Sequence, residues 1–286
     1  MITFPCCKIN LGLNVIARRP DGYHDIETVF YPIPLCDALD VKSMNPRFPS
    51  DVACDLLVKT NRNGKLVTDD LCPEQENLVV KAYNIIAKDF ALPRIHAHLI
   101  KNIPSQAGLG GGSSDAAAMI RLLDERFRLN MGISRMEQYA ARLGADCAFF
   151  ITGEPSFATG IGDQLQPIDN EDTHLEGYYI ALVKPDIAVS TAKAYAAITP
   201  RKPDYCCLDV VKMPVREWRE KLVNDFEAPV FAMHPELKAI KEKLYDLGAE
   251  FALMSGSGST VFGLFKEEPK NIDNTFTDCF TKVIEL

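Results

Sequence analysis

The sequence predicts an α+β protein built as two lobes. Three observations carry that reading. The 286 residues correspond to about two domains at roughly 150 residues each. Strand-like and helix-like segments alternate without the steady βαβ rhythm of a doubly wound sheet. A break at Gly153-Glu154-Pro155 separates two differently patterned stretches, so domains are expected at 1–155 and 156–286. Apolar residues at 47% and charged residues at 24% give the balance of a globular chain and exclude disordered, collagenous and small disulfide-stapled classes. With 31 Lys and Arg against 39 Asp and Glu, the net charge is −8, which offers no general attraction to nucleic acid or anionic membrane.

The elements follow in order. Residues 4–15 mix apolar and polar positions as a strand. The charged turn Arg18-Arg19-Pro20-Asp21-Gly22 reverses the chain, and the β-branched and aromatic stretch 26–33 returns as a second strand. Residues 42–75, polar and interrupted by proline and glycine, read as short strands and loops. A helix is expected over 77–90, with Leu78, Ala82, Ile85 and Ile86 on one face. Ile95, Ala97 and Leu99 alternate with His96 and His98 in a half-buried strand, and a strong helix covers 115–129. The next helix is expected from Ser134, in a capping box with Glu137, to a stop at Gly144, which leaves Asp146 on a loop. Beyond the break come a strand at 178–183, a helix after Ser190-Thr191, a helix at 234–247, and apolar runs flanking Ser255-Gly256-Ser257-Gly258-Ser259.

No stretch approaches the ~18 apolar residues of a membrane span. Lys8 and Asn10 interrupt the apolar N-terminus and no basic residue precedes it, so it does not read as a signal peptide. A cytoplasmic location is expected. The nine cysteines contain no C-x-x-C pair, and neighbours such as Cys6-Cys7 and Cys206-Cys207 suit neither zinc nor redox chemistry. They read as scattered unpaired thiols, buried as small hydrophobes in a reducing compartment.

Chemistry concentrates in residues 104–114, where Pro104, Ser105, Gln106, Ala107, Gly108, Leu109, Gly110, Gly111, Gly112, Ser113 and Ser114 link a strand to a helix. Glycines let backbone N–H groups approach an anion, and a helix starting at Ser113 or Ser114 adds its positive end. The loop is not a Walker A, because no lysine follows Gly112, nor a G-x-G-x-x-G from Gly108. A phosphate cradle and a flexible connector both remain open on glycine content; the flanking elements favour phosphate. Lys8 and Asp146 are each the lone charge in an apolar run, so each is a candidate for phosphoryl-transfer chemistry or for a structural ion pair. The 255–259 segment reads as a tight turn that can close over the same ligand.

Three separated segments, Cys7-Lys8-Ile9-Asn10-Leu11, Gly108 to Ser114, and Met254 to Ser259, resemble the three motifs of the GHMP small-molecule kinases. Arg19-Pro-Asp-Gly-Tyr-His24, Glu27-Thr-Val-Phe30, Leu143-Gly-Ala-Asp146 and Val189-Ser-Thr191 are similar to the branch of that family acting on CDP-methylerythritol in non-mevalonate isoprenoid synthesis. The resemblance implies a ribosomal S5 domain 2-like N-terminal lobe, a ferredoxin-like C-terminal lobe and an active site in the cleft. It implies phosphorylation of the 2-hydroxyl by ATP with Mg²⁺. Asp146 would be the base and Lys8 its charged partner. Residues 104–114 would hold the phosphates, with Asn77 near the adenine. Asn10, Tyr23, His24, Thr191 and Tyr195 would line the substrate side, with Tyr23 and Tyr195 enclosing the cytosine and His24 reading its edge. The resemblance assigns neither Mg²⁺ ligands nor an oligomeric state. Cys6-Cys7 and Cys147-Ala148 depart from the common Pro-Ala and Val-Pro, and neither removes a polar group the chemistry needs. The alternatives are a kinase of the same fold acting on homoserine or a sugar, and a nucleotide-binding sensor without activity.

Overall fold

The two strands flanking the charged turn run further than their patterning suggests: β2 spans Cys6–Arg18 and β3 spans His24–Cys36. The computed structural model describes residues 1–48, 52–62, 64–68 and 72–286, so the parts of the 42–75 excursion at 49–51, 63 and 69–71 lie outside the described residues. The chain folds into two compact units interleaved in sequence. One comprises Met1–Cys7, Leu35–Ser105 and Gly110–Gly153; the other comprises Lys8–Pro34, Gln106–Leu109 and Glu154–Leu286.

The first unit holds a five-stranded sheet. Its order is β1 (Ile2–Thr3), β4 (Ala38–Ser43), β7 (Ile95–Lys101), β5 (Cys54–Arg62) and β6 (Lys65–Thr68). β7 pairs antiparallel with β4 and parallel with β5. The alternation read at 95–99 holds: Ile95, Ala97 and Leu99 are buried. Helices α1 (Leu78–Ala87), α2 (Gly111–Phe127), α3 (Gly132–Ala141) and α4 (Ala145–Thr152) pack on one another, with α1 also against β5 and α2 against β4. Val79, Ala82, Tyr83 and Ile86 of α1 and Ala116, Ala117, Met119, Ile120 and Leu123 of α2 are buried in this core. Each large apolar side chain removed from water contributes about 1.5–3 kcal/mol before entropy is charged against it.

The second unit holds two sheets. One runs β2, β3, β8 (Ser156–Thr159), β9 (Gln164–Pro167); the other runs β11 (Phe251–Met254), β12 (Val261–Phe265), β10 (Tyr179–Pro185), β13 (Cys279–Glu285), antiparallel throughout. Helices α5 (Thr191–Ala196), α6 (Cys207–Val211), α7 (Glu227–Met233), α8 (Pro235–Asp246) and α9 (Ile272–Thr275) complete it. Leu237, Ile240 and Leu244 of α8 pack with Ala252, Met254 and Val261. No helix among the described residues is long and apolar enough to cross a membrane.

Four expectations are corrected. Asp146 is not on a loop: Gly144 is extended and precedes α4, so Asp146 sits in the first turn, where a carboxylate meets the positive helix end. Ser134 is not a cap. α3 already begins at Gly132, because Asp124 Oδ1 accepts the Met131 N–H at 2.8 Å and draws the chain into a tight connection. The glycine-loop helix starts at Gly111, with left-handed Gly110 at its N-cap, so two glycines form its first turn. The cysteines are not all unpaired: Cys6 and Cys36 form a disulfide. The turn near residue 21 brings these two positions, 30 residues apart, opposite one another on neighbouring strands. Cys54, Cys147 and Cys207 are buried free thiols, as expected, Cys7 is buried, and Cys72 is exposed.

Candidate active site

In the 104–114 segment, Gln106, Gly108 and Gly110 have φ of 51°, 73° and 70°. Positive φ at every second residue is the alternation that gathers neighbouring N–H groups around an anion. α2 begins without a side-chain cap, which leaves its first-turn N–H groups open. Gly111 must be glycine for packing: a Cβ there would lie 2.9 Å from Ile103 Cγ2 and 3.3 Å from Lys101 Nζ.

Within the first unit, a buried ionic cluster joins the two ends of this loop. Lys101, the last residue of β7, donates to Asp37 and, at 2.6 Å, to Asp115 Oδ2 in α2. Asp37 Oδ1 also accepts the N–H groups of Asn102 at 2.5 Å and Ile103 at 2.8 Å. Burial lowers the Lys101 pKa, but Asp115 and Asp37 together hold it above the ordinary value. Burial raises the Asp115 carboxyl, and Lys101 opposes that rise only in part. Asp115 Oδ1 is buried without a hydrogen-bond partner. Such a cluster fixes the exit of β7 relative to the start of α2, which is what a preorganised loop requires.

Ser114 Oγ donates to the Cys6 carbonyl at 2.7 Å. The Ser113 hydroxyl reaches the Cys147 thiol, which places α4's first turn, with Asp146, beside the loop's serines. Burial pushes the Cys147 thiol up to about 11, so this neighbour of Asp146 is an inert thiol at neutral pH. Asn77 is the N-cap of α1, its Oδ1 accepting from Val79 N at 2.9 Å.

The second unit brings other candidates together. Lys8, 3% exposed, donates from Nζ to Asn10 Oδ1 at 2.7 Å and lies 4.6 Å over the Phe30 ring. Asn10 Nδ2 donates to Thr28 Oγ1 at 2.9 Å, and Thr28 donates to the Gly12 carbonyl at 2.5 Å. Ser255 Oγ accepts from Asn10 N at 3.3 Å and donates to Gly108 O at 2.9 Å. Two further backbone bonds hold residues 106–109: Lys8 N to Leu109 O at 3.0 Å and Thr260 N to Ala107 O at 3.2 Å. Thus, within the second unit, residues 255–260 of the second glycine loop meet residues 107–108 of the first.

On the same unit, Thr191 opens α5 and shares a 2.8 Å hydrogen bond with Ser257. His24 stacks on Tyr195 with ring centroids 4.8 Å apart, and Tyr195 meets Phe226 edge-on. The ring facing Tyr195 is therefore His24, while Tyr23 is 61% exposed in the turn. Among the described residues no group of three or more His, Cys, Asp or Glu is placed to hold a metal ion.

Sequence reasoning missed Asp37, Lys101 and Asp115. Asp37 did carry a signal, as a charge between the apolar ends of two strands, but its partners lie 64 residues and more away. It also missed Asn224, whose burial no local pattern announces.

The chain matches the family models "GHMP kinases N terminal domain" at residues 77–154 and "GHMP kinases C terminal" at 212–278. It is 48% identical over 286 residues to the 4-diphosphocytidyl-2-C-methyl-D-erythritol kinase of Bacteroides fragilis, covering 100% of both chains. It is 50% identical over 283 residues to the Bacteroides thetaiotaomicron enzyme of that name, covering 98% of each. The crystal structure of a 4-(cytidine 5'-diphospho)-2C-methyl-D-erythritol kinase superposes with a TM-score of 0.79 at 29% identity, over 100% of both chains. The Methanococcus jannaschii mevalonate kinase, at 11% identity, shares the fold with a TM-score of 0.68 over 99% of this chain and 96% of its own. The chain belongs to the GHMP kinases and, within them, to the family of the 4-diphosphocytidyl-2-C-methyl-D-erythritol kinases.

Proposed function

We propose that this protein transfers the γ-phosphoryl group of ATP to the 2-hydroxyl of CDP-methylerythritol, giving the 2-phosphate and ADP in isoprenoid precursor synthesis. The observation that carries the reading is full-length identity near one half to kinases of that name. The positive-φ loop and uncapped α2 start suit a polyphosphate. Residues 104–114 hold the ATP phosphates, with Asn77 at the adenine end. Asp146 takes the proton of the attacking hydroxyl, and Lys8 offsets negative charge as the phosphoryl group moves. Asn10, Thr191, Tyr23, His24 and Tyr195 bind the cytidine alcohol, the His24–Tyr195 stack supplying an aromatic platform for the base.

Mg²⁺ fits this donor set as a phosphate-borne ion. Among the described residues no carboxylates are clustered for it, and Mg²⁺ commonly takes substrate phosphates, water and few protein ligands. The serines of the loop, Ser105, Ser113 and Ser114, are the candidate protein ligands, and the ion when bound would neutralise charge on the phosphate oxygens. The family matches at 77–154 and 212–278 lie on either side of the break that divides the proposed domains 1–155 and 156–286, while Lys8–Pro34 and Gln106–Leu109 of the first stretch pack in the second unit. The reading carries with it a cytoplasmic location and small-molecule partners; the charge of −8 supports the absence of nucleic-acid binding.

The test is ADP release with Mg-ATP and CDP-methylerythritol against homoserine, mevalonate and galactose. Turnover confined to the cytidine compound is expected. Turnover with homoserine or galactose instead would move the substrate assignment, and ATP binding without turnover on any alcohol would indicate a sensor.

A further inference from the structure

We infer that Asn224 is a positioning residue for the second glycine loop, and through it for the Gly108 segment; the inference rests on the kinase reading above. Asn224 is 3% exposed and lies just before α7. Its Oδ1 accepts the Phe226 N–H at 2.9 Å, an ordinary local turn. Its amide donors go elsewhere. Nδ2 donates to the Met254 carbonyl at 2.7 Å and to the Gly256 carbonyl at 2.8 Å, 30 and 32 residues along the chain. One planar amide thus fixes the two carbonyls on either side of Ser255. Glu227 Oε1 accepts the Met254 N–H at 2.9 Å, so residue 254 is held at both backbone polar groups by one short segment.

Ser255 is the residue whose hydroxyl bonds Asn10 N and Gly108 O, and its carbonyl crowds the Gly108 Cα. Displacing residues 254–256 therefore displaces the wall against which the phosphate-loop glycine rests. The same segment reaches the substrate side, because Phe226 packs edge-on against Tyr195. Asp225 anchors the segment itself, donating its N–H to Leu13 O at 2.9 Å and accepting the Val15 N–H at 2.8 Å.

The chemistry separates this role from that of a local turn. Aspartate serves an Asx turn as well as asparagine does, but it presents acceptors to two carbonyls where the amide presents donors. Asn224→Asp should keep the turn and release the loop. Hydrogen exchange of the substrate-free enzyme is expected to quicken at least ~10-fold in peptides covering 254–260, with 13–15 and α7 unchanged. Turnover is expected to fall ~10–100-fold in kcat, with KM for ATP and for the cytidine alcohol within ~3-fold, since small displacements of a positioned group act on the chemical step. If Asn224→Asp does not fold, Asn224→Ser keeps the acceptor, removes the amide and is measured in the same way. Unchanged exchange at 254–260, or exchange rising across the whole second unit with kcat per folded molecule preserved, would overturn the inference. Wild-type protein that turns over no cytidine alcohol would sink the kinase reading instead, while the exchange experiment still decides the role of Asn224.

Discussion

Gly108 and Ser255 stand so close that a Cβ on Gly108 would lie 2.1 Å from the Ser255 carbonyl oxygen. Gly108 also has a φ of 73°, in the left-handed region. Either condition alone disfavours a side chain; together they require the loops to part. Gly108→Ala is expected to lower kcat/KM at least ~10-fold and to lower Tm, read by the ADP assay and thermal denaturation. A variant with unaltered Tm and turnover would show that the loops are not held against each other.

The His24–Tyr195 stack, with planes 17° apart, makes a second prediction. Aromatic stacking contributes about 0.5–1.5 kcal/mol beyond buried area, and about 1.4 kcal/mol is tenfold in affinity. His24→Ala and Tyr195→Leu should each raise KM for the cytidine substrate up to ~10-fold and leave KM for ATP within ~2-fold. A rise in KM for ATP alone would assign the stack to the nucleotide donor.

Asp146→Asn keeps size and helix position while removing the base. A loss of at least ~100-fold in kcat is expected, with nucleotide binding by calorimetry unchanged. Near-normal turnover would remove Asp146 from the chemistry.

The buried cluster sets a pH dependence. The folded state raises the Asp115 carboxyl above its ordinary value of 3.8, to about 7. A raised carboxyl favours folding while both states are protonated, and that contribution is lost as pH rises through the folded value. Wild-type stability relative to Asp115→Asn should therefore decline between about pH 4 and pH 7, and level off above. Urea unfolding of both proteins across that range measures it; a difference that grows with pH would mean that Lys101 dominates and holds Asp115 ionised.

Much of this architecture was legible in local pattern. The alternation at 95–99, the alanine-rich α2 and the isolation of Lys8 among apolar residues each announced a strand, a slim helix and a buried ammonium. What escaped was set by distant partners. Gly144 has the composition of a helix stop, and only the burial of Cys147–Ile151 makes it a helix start. Cys6 and Cys36 pair because a long hairpin aligns them, a register that thiol spacing does not encode. Asp37, Lys101 and Asp115 look like unrelated charges until β7 and α2 place them together.

The proposed reaction moves one phosphoryl group to one hydroxyl of a cytidine diphosphate alcohol. Phosphorus NMR of the product formed from CDP-methylerythritol and Mg-ATP tests it most directly. One new phosphomonoester at the tertiary 2-position is expected, with the bridging diphosphate intact and ADP in equal amount. Phosphate on another hydroxyl, or ATP hydrolysed to free phosphate with the alcohol unchanged, would contradict it.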